Sequence, residues 1–305
     1  MSNVITELEN LNLVDRFLFD EVMEDQASYQ ALISILLENE IEILDKTQTE
    51  KELRVSPEIR QVRLDVVSMD REKKVYFTEM QKQDTGNLRR RSRYYQAQLD
   101  VSLLEPGTVN FNLLNDSCFI LIAPFDLFKK DLYRYTFEGA CRECPELKIR
   151  DGAVRIFINT KGTNREEFSQ EFLELMEYIT ASTDQVAGLS ESPRIKLLHE
   201  NVKKIRASEK MGVKYLQKWE ELVYARDEGR EEGKAEGLTV GIMKGRAEGE
   251  KVQLIKQICK KLKKGKTLDM IAEELEEDLT VIEKICTEAQ KYAPDFDCEQ
   301  LYAEL

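Results

Sequence analysis

The chain has 305 residues, of which 42% are hydrophobic and 34% charged, and its formal net charge is −13. That length and apolar content suit one good-sized core plus an appendage and exclude a disordered chain, and the acidic balance excludes a protein that coats nucleic acid over its whole surface. No run approaches about 18 apolar residues, and the start "MSNVITELENLNLVDRF" lacks the pattern of an export signal, so the expectation is a cytoplasmic protein without a membrane partner.

Residues 13–40 carry apolar side chains at helical spacing, with Leu32, Ile33, Leu36 and Leu37 on one face, which predicts two helices broken near Asp25. Strands are predicted over 61–69 and 75–81, and over the apolar run "CFILIAP" from Cys118, which suits burial on both faces. Between the last two, "NLRRRSRYYQAQLDVSLL" predicts a helix that stops before Pro106-Gly107. "LYRYTF" and the two arms of "ELKIRDGAVRIFINTKG" predict further strands, the arms joined at Asp151-Gly152 as a hairpin. "REEFSQEFLELMEYI" returns to helix, so residues 1–185 are expected to form one mixed α/β domain.

Residues 186–228 read as a charged helical segment, and 229–250 as a connector in which Gly229, Gly233, Gly237, Gly241, Gly245 and Gly249 recur at a period of four. Each glycine costs a helix about 1 kcal/mol relative to alanine. A four-residue repeat also overshoots the helical turn by about 40° per step, which favours a flexible helical connector over a straight dimer seam. Residues 251–305 predict a small helical bundle with Thr267 and Thr280 as caps. Its order is similar to a helix-turn-helix, but residues 267–292 hold eight acids against two lysines, the wrong sign for phosphates. A packing or assembly role is expected, with a homo-oligomer through these C-terminal helices as the partner.

Six cysteines in a long chain without an export signal point to reduced thiols. Cys141 and Cys144 form one C-x-x-C without a second pair, which reads as ordinary thiols rather than zinc. His199 is the single histidine and is expected to be a surface or packing residue, which argues against nucleophile systems that need a placed imidazole.

The stretch "VRLDVVSMDREKKVYFTEMQKQ", residues 62–83, carries the chemistry. Glu79 and Gln81 lie two apart and share a strand face, and a turn centred near Glu72 sets Asp65 opposite Glu79. Two neighbouring carboxylates repel unless a positive charge lies between them. Mg²⁺ suits such a pair, because it takes oxygen ligands and is often held by one or two carboxylates plus water and substrate phosphate. The same spacing also suits solvated acids on the open face of an antiparallel sheet. Downstream, Lys82, Arg89, Arg90, Arg91 and Arg93 make a basic segment suited to a nucleic-acid backbone, with Tyr94 and Tyr95 beside it, at least one of them expected to pack.

"RLDV", "TEMQ" fourteen residues on, "RRSRYYQAQLD", "FILIAPFDLFKKDLYRYTF", "CRECPELKIRDGAVRIFINTKG" and the E-G-x-x-E-G tail together resemble the bacterial Rpn family, the recombination-promoting nucleases also labelled transposases, of the PD-(D/E)XK superfamily. The likeness covers about residues 12–250. It implies a restriction-endonuclease-like mixed sheet flanked by helices, followed by the glycine-rich connector and C-terminal bundle, and Mg²⁺- or Mn²⁺-dependent cleavage of DNA. Asp65 and Glu79 would be metal ligands, with Gln81 positioning water where much of the superfamily carries lysine. A further acid from the first helix would be Glu21 or Asp25; Asp20 stands where the family pattern has lysine. The competing expectation is a catalytically silent assembly protein.

Overall fold

The computed structural model describes residues 8–44, 48–53, 62–105, 107–294 and 301–302. Residue 61, the expected start of the first hairpin strand, and residues 295–300 and 303–305 of the expected bundle lie outside the described residues. The chain divides into two units, Met1–Trp219 and Glu220–Leu305.

Helices α1 (Arg16–Met23) and α2 (Gln26–Leu37) open the first unit. The break between them falls at Asp25, which caps α2 by accepting the Ser28 N–H at 2.8 Å. The sheet has six strands: β1 (Gln48–Leu53), β2 (Val62–Met69), β3 (Val75–Met80), β4 (Ser117–Ala123), β5 (Arg134–Phe137) and β6 (Ala153–Asn159). Their spatial order is β1-β2-β3-β4-β6-β5. The first three strands form an antiparallel meander; β3, β4 and β6 run parallel, and β5 returns antiparallel at the far edge. Helix α3 (Leu88–Leu103) makes the crossover from β3 to β4.

After the sheet come α4 (Gln170–Thr180), α5 (Asp184–Leu189), α6 (Pro193–Arg206) and α7 (Glu209–Leu262). Strand β4 is buried along its whole length, as its unbroken apolar run requires. Ile120 and Ile122 pack with residues of α1, α2, α4 and α6, whereas Phe119 and Leu121 pack with Phe77 and with Leu88 and Leu99 of α3. The sheet is thus covered on both faces. Ile195, Leu198 and Val202 of α6 are fully buried in the larger core, so the first unit continues past residue 185.

Two local features differ from the sequence reading. Residues 146–150 do not form the expected hairpin arm; only Lys148 makes a bridge, to Ala140. The reason is topological: β6 already has β4 on one side and β5 on the other, so no edge is left for a third partner. Conversely, the charged segment "QTEKEL" is edge strand β1, which apolar periodicity did not mark.

In the second unit, the last turns of α7 pack with α8 (Leu268–Leu275) and α9 (Leu279–Ala289) around Ile255, Ile258, Ile271, Ile282 and Ile285. Thr267 caps α8, but α9 is capped by Asp278, which accepts the Thr280 N–H at 2.8 Å; Thr280 itself lies inside the helix. The six periodic glycines lie within helix α7, and a Cβ built at any of them meets nothing within 4 Å. Among the described residues no helix is long and apolar enough to cross a membrane.

Alanine is favoured over glycine by about 1 kcal/mol per helical position and finds open space here. Replacing Gly233, Gly237 and Gly241 by Ala should therefore raise the helical ellipticity of the full chain and delay its loss on heating. An unchanged or lower melting point by circular dichroism would contradict this.

Candidate functional site

The β2–β3 hairpin sets Val66 opposite Thr78 and Met69 opposite Val75, the register of a turn centred at Glu72. Asp70 fixes that turn by accepting the N–H groups of Glu72 and Lys74, each at 2.9 Å, and the Tyr76 hydroxyl at 3.0 Å. Strand alternation from this register places Asp65 and Glu79 on the face that carries Val67 and Phe77, the face covered by α3.

Asp65 is 0% and Glu79 4% exposed, so they are not solvated acids on an open sheet face. The Asp65 N–H donates to Glu79 Oε1 at 3.2 Å, and the Met80 N–H donates to Asp65 Oδ2 at 3.1 Å. Asp65 Oδ1 forms an ion pair with the Arg16 guanidinium. Burial pushes the Asp65 carboxyl above its ordinary value, against the pull of Arg16. Burial, then the charge of Asp65, pushes Glu79 well above the usual carboxylate range.

Helix α1 adds a further acid. Asp20 is 2% exposed and lies 3.7 Å from Arg16 Nε and 3.8 Å from Lys218 Nζ at the start of α7. It is therefore the α1 acid that shares a cation with Asp65. Neither acid chosen from the sequence occupies that position: Glu21 is held by Lys214 at 2.6 Å, and Asp25 is committed to the α2 cap. The i, i+4 spacing of Arg16 and Asp20 is a sequence signal for their pairing, but not for the contact of Arg16 with Asp65.

Both ends of the Gln81 amide have a protein partner, which leaves one N–H and one lone pair for water. Its Oε1 accepts from Arg91, and its Nε2 donates to the Gln83 carbonyl at 2.8 Å. Its contact orients Arg91, whose guanidinium lies 5.6 Å from the centre of the Tyr95 ring. Tyr95 packs against the smaller core, and burial followed by the charge of Glu79 raises its hydroxyl above the ordinary value.

The other basic residues divide by their contacts. Lys82 pairs with Asp15 at 2.5 Å; Arg89 donates to the Leu127 carbonyl at 3.1 Å and lies 5.3 Å from the Phe128 ring centre. Arg90 and Arg93 are exposed on α3. The first turn of α3 thus carries three arginines and no acid. Cations at a helix N-terminus oppose the positive end of its dipole, whereas anions are favoured there.

Among the described residues, no group of three or more His, Cys, Asp and Glu is placed to hold a metal. Asp65 and Glu79 nevertheless bring carboxylate oxygens to one place, a donor chemistry that fits a hard divalent cation completed by water and phosphate. Cys141 and Cys144 each lie beside a glutamate, Glu143 and Glu146. His199 is a packing residue: its ring nitrogens meet the Tyr178 hydroxyl at 3.0 Å and Asp184 at 2.8 Å, joining α4, α5 and α6. A cavity of about 350 Å³ lies at the opposite end of the parallel strands, lined by Lys74, Asp116, Glu138, Lys148, Arg150 and Asp151. At the acid cluster, cationic side chains pair directly with the buried carboxylates.

A raised carboxyl value means that folding favours the protonated form. The stability linked to Glu79 is fully present below its ordinary value of 4.5 and is lost as pH rises through the higher folded value. Glu79→Gln should therefore melt above wild type at neutral pH, with the difference shrinking as pH falls towards 4.5. A variant that melts below wild type at neutral pH would show that the glutamate charge is compensated. No family model matches this chain, and no curated protein or solved structure matches it.

Proposed function

We propose that the chain is a divalent-metal-dependent DNA endonuclease of the Rpn type, with its six-stranded sheet as a restriction-endonuclease-like core. The observation that carries this reading is the pair of desolvated carboxylates, Asp65 and Glu79, on adjoining strands beside the arginine-rich start of α3. Mutually repelling acids packed in a sheet interior are costly as structure and useful as ligands for a hard cation.

In this reading Asp65 and Glu79 hold Mg²⁺ or Mn²⁺, with Asp20 the adjoining α1 acid. When bound, the cation supplies Lewis acidity: it makes water more acidic and stabilises charge developing on an attacked phosphate. Arg90 and Arg93 meet backbone phosphates from the exposed side of α3, where the helix N-terminus adds its own attraction for anions. Gln81 holds Arg91, whose positive charge acts on both acids, so a guanidinium supplies the charge that a superfamily lysine would bring as an ammonium. Lys82 and Arg89, which already have protein partners, hold the loop and helix in position.

Supercoiled-plasmid nicking with and without Mg²⁺ tests the proposal. Asp65→Ala and Glu79→Ala should each lower metal-dependent nicking by about a hundredfold or more, the scale on which loss of one charge-stabilising contact acts in a transition state. Near-wild-type nicking by a folded Asp65→Ala variant would sink it. The second reading, a silent assembly protein, is favoured by one observation: Leu238, Val240, Ile242 and Met243 are all more than half exposed on α7. It predicts no Mg²⁺-dependent stabilisation that Asp65→Ala removes.

A further inference from the structure

We infer that Arg16 is a built-in counter-ion, standing where a divalent cation would approach Asp65 and having to leave before that cation is held. The inference rests on the nuclease reading above and specifies how its acid cluster is kept from loading metal alone.

Three observations carry it. The guanidinium contacts Asp65 Oδ1 and, through Nε at 3.7 Å, Asp20 Oδ2, so one cationic group serves both acids. Its side chain is 47% exposed, whereas those of Asp65 and Asp20 are 1% and 2% exposed, so solvent reaches the cation and not the acids. Arg16 is also the first residue of α1, where a positive charge opposes the helix dipole, and α1 has no side-chain N-cap hydrogen bond. Its neighbour Asp15 instead pairs with Lys82 at 2.5 Å. Helix formation therefore gives Arg16 no reason to be cationic, and the acids do.

A guanidinium on a half-exposed stem has a second partner available when nucleic acid arrives, because its planar fork matches a phosphate as well as a carboxylate. Moving Arg16 from Asp65 to a phosphate releases Oδ1, the oxygen it pairs with, while Oδ2 keeps the Met80 N–H. Lys218 still faces Asp20 after this exchange, so the α1 acid remains compensated. Exchange of Arg16 thus couples arrival of the phosphate to exposure of the metal ligand.

The test is thermal unfolding of the full chain titrated with Mg²⁺ in the absence of nucleic acid, for wild type, Arg16→Met, Arg16→Lys and Asp65→Asn. The Mg²⁺ concentration giving half-maximal stabilisation should fall by about tenfold or more in Arg16→Met, the equivalent of one charge-assisted hydrogen bond that no longer competes. Arg16→Lys should shift it in the same direction by less, and it decides the matter alone if Arg16→Met fails to fold. Asp65→Asn should abolish the response. Equal or higher midpoints in the Arg16 variants, with the response still lost in Asp65→Asn, would overturn this inference and leave the nuclease reading standing. No Mg²⁺ response in any protein would overturn both.

Discussion

Removing a carboxylate from water costs several kcal/mol, and a second carboxylate beside it adds repulsion. The first unit offsets part of that cost at Asp65 and Glu79 with two backbone N–H groups and with cations from separate helices, Arg16 of α1, Arg91 of α3 and Lys218 of α7, while both carboxyls stay above their ordinary values. Each of those helices is held by ordinary apolar contact. Phe17 of α1 meets Tyr215 of α7 with ring centres 4.9 Å apart, and Leu88 and Leu99 of α3 pack beside Phe77. The cores therefore do more than stabilise the fold, because they set the positions from which the acids are compensated. Apolar residues of similar volume commonly replace such buried ion clusters without loss of stability. Packing alone gives no reason to retain this one.

Departures from local preference gather around the same place. Arginines occupy the first turns of both α1 and α3, where a helix favours negative charge, and Asn87 makes no side-chain cap for α3. Helices farther along the chain keep their side-chain caps, although α6 also carries cations, Arg194 and Lys196, in its first turn. Ser169, Thr183 and Ser192 cap α4, α5 and α6, and Lys203, Lys204 and Arg206 fill the last turn of α6. What sets α1 and α3 apart is that cations at their starts come without a side-chain cap, and a requirement other than folding is the economical explanation.

The parts legible in the sequence were those encoded by local periodicity. The hairpin register, the acids facing one another, the helix break at Asp25 and the doubly buried β4 all follow from residues within one or two elements. The compensating cations were not legible, since Arg16 meets Asp65 from a helix before the sheet and Lys218 meets Asp20 from a helix after it. Such pairings are fixed by tertiary packing, and no spacing rule reaches across them. Gln81 shows the same limit at short range: its residue type suggested water, but which atoms it bonds depended on where α3 placed Arg91. The misplaced hairpin at Asp151-Gly152 failed because turn chemistry specifies a reversal, whereas sheet order decides which strand has a vacant edge.

The glycine repeat bears on how far the site depends on the rest of the chain. Exposed ion pairs such as Glu231 with Lys234 and Arg246 with Glu250 are worth less to a helix than a single glycine costs. Residues 229–250 thus draw little stability from their own composition, and their helix is sustained from its ends. At the C-terminal end, Ile255, Ile258 and Cys259 of α7 are buried in the core of the second unit. At the N-terminal end, Tyr215 meets Phe17, Lys214 meets Glu21 and Lys218 meets Asp20, all within the first unit. The α7 lysines that compensate the acids therefore lie in the packed part of the helix, ahead of Gly229. Opening of the repeat would leave them in place, so the charge balance of the acid cluster is a property of the first unit by itself.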